Sequence, residues 1–151
     1  MILTFKRVLV TTDFSEPGDA AVPPAFRIAS DHGAEVLLCH VIETPPTPNP
    51  LYAHYSSTEL YRPEARLQAE QKAHEALRAR VPKDATLAAV PYRTRVVDGD
   101  PVARILEVTR EEEADLLVIA THGRTGLKHF FLGSVVERVI RQAHCPVLVI
   151  R

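Results

Sequence analysis

The feature that most constrains the fold is an alternation along the chain. Five short runs of β-branched and aliphatic residues, Arg7–Thr12, Ala34–Ile42, Pro91–Val97, Asp115–Ala120 and Pro146–Ile150, are separated by connections long enough to hold helices. Several of these runs are apolar at successive positions, the mark of strands covered on both faces. Strands alternating with helices argue for a parallel sheet between two helical layers. The 151 residues suit a single domain, 1–151, with one sheet at its centre.

The connections carry their own signals. Ser15 offers an N-cap and Gly33 a C-cap for a first helix. Pro23 and Pro24 interrupt that stretch, so a kink or break is expected near Val22. Residues 44–50 hold four prolines, which forbid helix and central strand. The connection continues past Tyr52 and Tyr55 to Tyr61, and one of this length is either mobile or functional. A helix over Pro63–Val81 places Ala69, Ala73, Ala76 and Leu77 on one face. Asp100-Pro101 opens the next helix, with Val102, Ile105, Leu106 and Thr109 as its inner stripe. Glu111, Glu112 and Glu113 read as a solvated run. The last helix, Ser134–Gln142, is expected to turn Val136, Val139 and Ile140 inward.

Charge excludes some classes of partner. Eighteen basic residues face nineteen acidic ones, so no positive excess is available for a nucleic acid or an anionic membrane. No apolar run approaches the roughly 20 residues of a membrane span. The first seven residues do not read as a signal peptide. Cys39 and Cys145 are too few for a disulfide framework and sit in apolar, strand-like segments. A cytoplasmic location is the expectation.

In open parallel sheets, ligands bind beyond the carboxyl ends of the strands. Asp13 follows the first strand, and Thr121-His122-Gly123-Arg124-Thr125-Gly126 follows the fourth. Glycines there allow close backbone approach to a ligand. Gly133-Ser134 then begins a helix, whose exposed amides and dipole favour an anion such as phosphate. Two plainer roles compete. Ser134-Val135-Val136-Glu137 is a capping-box sequence that needs no ligand, and Asp13 suits an ordinary turn. His40, His122 and His129 show no metal-ligand spacing, so no histidine metal site is expected. Neither a Gly-x4-Gly-Lys-Ser/Thr loop nor a Gly-x-Gly-x-x-Gly turn is present.

The spacing Ala120-x2-Gly123-x9-Gly133-Ser134 resembles the nucleotide motif of the universal stress protein family: glycine, two residues, glycine, nine residues, glycine, then serine or threonine. Val8–Ser15, His40–Ile42 and Ala143–Ile150 extend the resemblance over essentially the whole chain. It implies an open five-stranded parallel sheet of order 3-2-1-4-5, Rossmann-like and of the adenine nucleotide alpha hydrolase type. It further implies a regulatory, stress-response module of the ATP-binding branch. Thr12, Asp13, Val41, Ala120, His122, Gly123, Arg124, Gly133, Ser134 and Val135 then form the nucleotide site. Asp13 would meet the ribose or a magnesium ion, and Val41 the adenine edge through its backbone. Gly123 and its neighbours would wrap the ribose and phosphates, while Gly133 and Ser134 bind phosphate oxygens. Arg124 and Lys128 stand in the same loop and could add charge near the triphosphate.

Ala120 departs from the pattern, standing where this branch has its first glycine; its methyl would crowd the ligand if the backbone there required positive φ. No catalytic base is evident, so the chain is not expected to be an enzyme beyond slow ATP hydrolysis. The alternatives are a nucleotide-free dimeric stress adaptor and a weak ATPase. In the implied strand order, Val147–Ile150 is an apolar edge, which predicts a homodimer through that strand.

Overall fold

The computed structural model describes residues 3–44, 63–122 and 132–151. Five strands, β1 (Arg7–Thr11), β2 (Glu35–Glu43), β3 (Tyr92–Gly99), β4 (Leu116–Ala120) and β5 (Val147–Ile150), form one parallel sheet. Their order is β3-β2-β1-β4-β5, as the resemblance implied. β1 is central, with Val8 beside Val36 on one neighbour and Leu116 on the other.

Alternate residues of each strand feed opposite layers. Val8, Val10, Val36, Leu38 and Val118 pack with Phe26 and Ala29 of α2 (Val22–His32) and Leu77 of α3 (Pro63–Ala79). Leu9, Leu37, Cys39, Leu117 and Ile119 pack with Ile105 and Leu106 of α5 (Pro101–Glu111) and Val139 of α6 (Ser134–Gln142). Both faces are therefore covered, which is why these strands read as continuous apolar runs rather than alternating ones. Cys39 belongs to this core: burial pushes its thiol up to about 12, so it stays a neutral, small hydrophobe.

The helical layers show where local chemistry was informative. The first helix breaks as expected, into α1 (Glu16–Asp19) and α2. The break falls at Ala20–Ala21, so Pro23 and Pro24 occupy the first turn of α2, where a missing N–H costs nothing. Gly33 ends α2 in the left-handed conformation, at φ 65°. A short helix, α4 (Ala85–Ala88), precedes β3 and was not anticipated. Asp84 caps it by accepting from the N–H groups of Thr86 and Leu87.

One expectation needs correction and one needs an addition. Ile140 is 39% exposed rather than inward. It stands about 100° around α6 from the fully buried Val139, past the edge of the apolar stripe. The glutamate run is solvated at Glu111 and Glu113, as read, and it also makes ion pairs. Glu111 pairs with Arg95, Glu112 with Arg93 and Glu113 with Arg7, tying the end of α5 to the sheet.

Candidate functional site

The carboxyl ends of β1, β2 and β4 converge with the starts of α5 and α6 around a cavity of about 330 Å³. The strand order reverses between β1 and β4, the place where such sheets bind ligands. Thr12 and Asp13 enter from β1, Val41 from β2, and Ala120 and His122 from β4. Gly133, Ser134 and Val135 close it from α6. Gly123 and Arg124 lie outside the described residues, as do Lys128, His129, Tyr52, Tyr55 and Tyr61.

The β1 end is a tight turn with most of its polar groups assigned. Thr12 is buried; its N–H donates to the Cys39 carbonyl and its own carbonyl lies 2.8 Å from His40 Nδ1. Its hydroxyl donates to Asp19 Oδ1 at 2.5 Å and accepts from the Phe14 N–H at 3.0 Å. Asp13 Oδ1 accepts from the backbone N–H of Ser15 at 3.0 Å and from its hydroxyl. Ser15 Oγ in turn accepts from the Gly18 N–H and caps α1. Phe14, between them, has φ 67°, a left-handed conformation that a bulky residue rarely adopts.

The opposite wall is built by β4 and α6. Ala120 is buried at the end of β4, in register with Ile150. Its φ is not positive, since Phe14 and Glu113 alone have that property among the described non-glycine residues. The backbone at this position therefore accepts alanine without strain. Gly133 sits at φ −57° and ψ 147°, open to any residue. Its smallness serves packing instead: its N–H donates to the Thr121 carbonyl at 3.1 Å, and a Cβ there would meet the same oxygen at 3.1 Å. Gly133 is also the N-cap of α6, and it has no side chain with which to cap the helix. The capping-box reading of Ser134 is thus corrected: Ser134 is the first helical residue, and among the described residues no side chain caps the first-turn amides. His122 Nδ1 lies 2.8 Å from the Thr121 hydroxyl, while its Nε2 is buried with no hydrogen-bond partner among the described residues.

Several lining residues escaped the sequence reading. Gly18 lies under Asp13, and Glu43 adds a second carboxylate at the end of β2. Ile105 and Ile119 supply apolar wall. Ile105 was read as core, and nothing in a one-dimensional pattern separates a core position from the wall of a cavity at the core's end. Among the described residues, no three His, Cys, Asp or Glu side chains converge on a possible metal position. None of the described helices is long and apolar enough to cross a membrane.

Comparison with known proteins agrees with this architecture. The model of the universal stress protein family matches residues 4–151. The chain belongs to the universal stress protein family. Within that family it is 36% identical to universal stress protein MJ0531 of Methanocaldococcus jannaschii, over 97% of this chain and 82% of that protein. Among solved structures, MJ0577 of the same organism superposes with a TM-score of 0.78 at 28% identity, covering 98% of this chain and 96% of that one. A universal stress protein in complex with cAMP superposes with a TM-score of 0.64 at 25% identity, covering 99% of this chain and 98% of that chain.

Proposed function

We propose that this universal stress protein binds ATP, together with magnesium, as a regulatory nucleotide-binding module of the cytoplasm, and that it acts as a homodimer. The observation that carries the reading is the meeting of the β1 and β4 ends with the start of α6 around one cavity. Amides in the first turn of a helix attract phosphate by hydrogen bonding and by the helix dipole. The buried Nε2 of His122, unpartnered among the described residues, is a further atom that a bound ligand can satisfy. Val41, Ile105, Ile119 and Ala120 give the same cavity the apolar walls that suit a purine ring. The relative solved with cAMP bound an adenine nucleotide on this fold.

The donor set fits magnesium only as a shared ligand. Asp13 would hold the ion, with Glu43 on the same cavity. Magnesium commonly takes one or two carboxylates and completes its octahedron with phosphate oxygens and water. The ion, when bound, neutralises charge on the phosphates. Asp13 supplies a carboxylate oriented by Ser15, Ser134 and Val135 in the first turn of α6 present amides to anionic oxygens, and the apolar walls exclude water from the ring. The proposal assigns binding and conformational signalling rather than turnover.

Titration calorimetry tests the reading. ATP is expected to bind in the micromolar range and more tightly with magnesium, and cAMP more weakly, because it lacks the outer phosphates that would reach α6. In Asp13→Ala, magnesium-dependent binding should fall more than magnesium-free binding. Absence of heat at millimolar ATP, with no displacement of a fluorescent ATP analogue, would refute the proposal.

A further inference from the structure

The turn that presents Asp13 is held by a residue from outside the cavity. Phe14 adopts φ 67°, and a non-glycine residue persists there only when its surroundings over-determine it. Its N–H and its carbonyl, one in each of the flanking peptide links, are fixed by one closed cycle of hydrogen bonds. The Phe14 N–H donates to Thr12 Oγ1, and that hydroxyl donates to Asp19 Oδ1. The same Asp19 oxygen accepts from Arg80 Nε at 2.7 Å, and Arg80 Nη2 returns to the Phe14 carbonyl at 3.1 Å. Arg80 Nη1 is anchored on the Ala76 carbonyl of α3 at 2.9 Å. The guanidinium carbon also lies 4.5 Å from the centre of the Phe14 ring, which stacks on His40 at 4.0 Å.

We propose that Arg80, the residue that follows α3, is the positioning residue that locks the Asp13 turn in its ligand-ready shape. Among the described residues, none from α3 lines the cavity, and Arg80 does not touch it. Its influence passes through Phe14 and Asp19 to the residues on either side of Asp13. No other side chain type fits the three tasks. Lysine carries the charge, but it has no planar fork to reach Asp19, Phe14 and Ala76 together or to lie flat over the ring. Arg80 joins the far helix to the nucleotide turn by charge-assisted bonds, so loosening it frees the turn without opening the sheet. The effect on affinity rests on the ATP reading above; the effect on the turn does not.

Two measurements separate the possibilities. Residue-resolved amide hydrogen exchange is compared for wild type, Arg80→Met, which keeps the apolar stem, and Arg80→Lys. Both variants are expected to accelerate exchange at Phe14 by about tenfold or more, as loss of a charge-assisted network implies. Leu9 and Val10 in β1 should keep their protection. Asp19→Ala removes the shared acceptor oxygen from the other side and should give the same pattern. An unchanged Phe14 amide, a uniform rise across β1, or full rescue by lysine would overturn the proposal. Where wild type binds ATP, Arg80→Met should weaken the magnesium-dependent part about tenfold and add nothing in an Asp13→Ala background. Additive losses in that double variant would overturn the link to Asp13. A wild type that binds no nucleotide would fail the ATP reading alone and leave the exchange result to decide.

Discussion

A Cβ added to Gly18 would lie 2.2 Å from Asp13 Oδ1 and 3.0 Å from Ser15 Oγ. The first gap is one that real atoms do not show and the second is tight, so the missing side chain is what lets the Asp13 carboxylate lie against the start of α1. The glycine has no unusual backbone angle. Its role is room, which no local pattern reveals. Gly18→Ala is expected to lower the melting temperature, although alanine is the better helix former by about 1 kcal/mol in a helix interior. In an Asp13→Ala background the clash partner is gone, so the same substitution should become neutral or stabilising. Thermal melts of the two singles and the double measure this coupling directly. Additivity across the cycle would show that Asp13 moves aside without cost. Phe14 was equally silent in the sequence: its left-handed φ follows from Arg80, which lies 66 residues further on, and a one-dimensional reading cannot anticipate that contact. Asp13, by contrast, was legible because a polar residue after a β-branched run marks a strand's carboxyl end.

Elements were read well where chemistry is local and less well where it is not. Pro23 and Pro24 announced the break between α1 and α2, and Gly33 and Asp100 announced helix ends. The helix α4 was missed because four residues carry no periodicity, even though Asp84 is a good cap. The start of α6 shows local logic misassigning a residue. Ser-x-x-Glu spells a capping box, but the backbone makes Gly133 the cap because its N–H and its absent Cβ fit against the Thr121 carbonyl. Tertiary packing shifts the helix boundary by one residue, so Ser134 does not cap the helix. This predicts a graded response at position 133. Gly133→Ala needs the neighbour to yield by a few tenths of an ångström and should retain most affinity. Gly133→Val adds branched bulk against Thr121 and should cost about tenfold or more in ATP affinity, within the range for a lost set of charge-assisted bonds, while the fold survives. Calorimetry alongside circular dichroism checks both. Undiminished binding by a folded Gly133→Val protein would remove phosphate from α6.

At the scale of the whole molecule, the strand order leaves β3 and β5 as the sheet's edges, and the two edges are defended differently. Arg93 and Arg95 on β3 pair with Glu112 and Glu111, so that edge carries charge, as natural edges commonly do. β5 carries none: Val147, Leu148, Val149 and Ile150 are all only half-buried. Ile140, on the helix before β5, adds exposed apolar surface. The ladder shows which groups remain. Leu117 and Thr121 donate to the carbonyls of Pro146 and Ile150, so the alternate residues Val147 and Val149 turn their own N–H and C=O away from β4. A second copy of the strand, antiparallel about a two-fold axis, would satisfy those groups and cover the side chains. The sequence showed the apolar run and the family order showed that it is an edge; only the ladder shows which amides face outward. That detail gives a sharper test than charge alone. Val149→Lys should shift the protein toward monomer, but Val149 also packs against the α5–α6 side of the core. Val149→Pro removes the outward N–H while sparing the bonds to β4, since those use the residues on either side. Light scattering at micromolar concentration is expected to give a dimer for wild type and a monomer for Val149→Pro, with the β4–β5 amides still protected from exchange. A wild type that is monomeric across that range, or a Val149→Pro variant that remains dimeric, would move the interface away from β5.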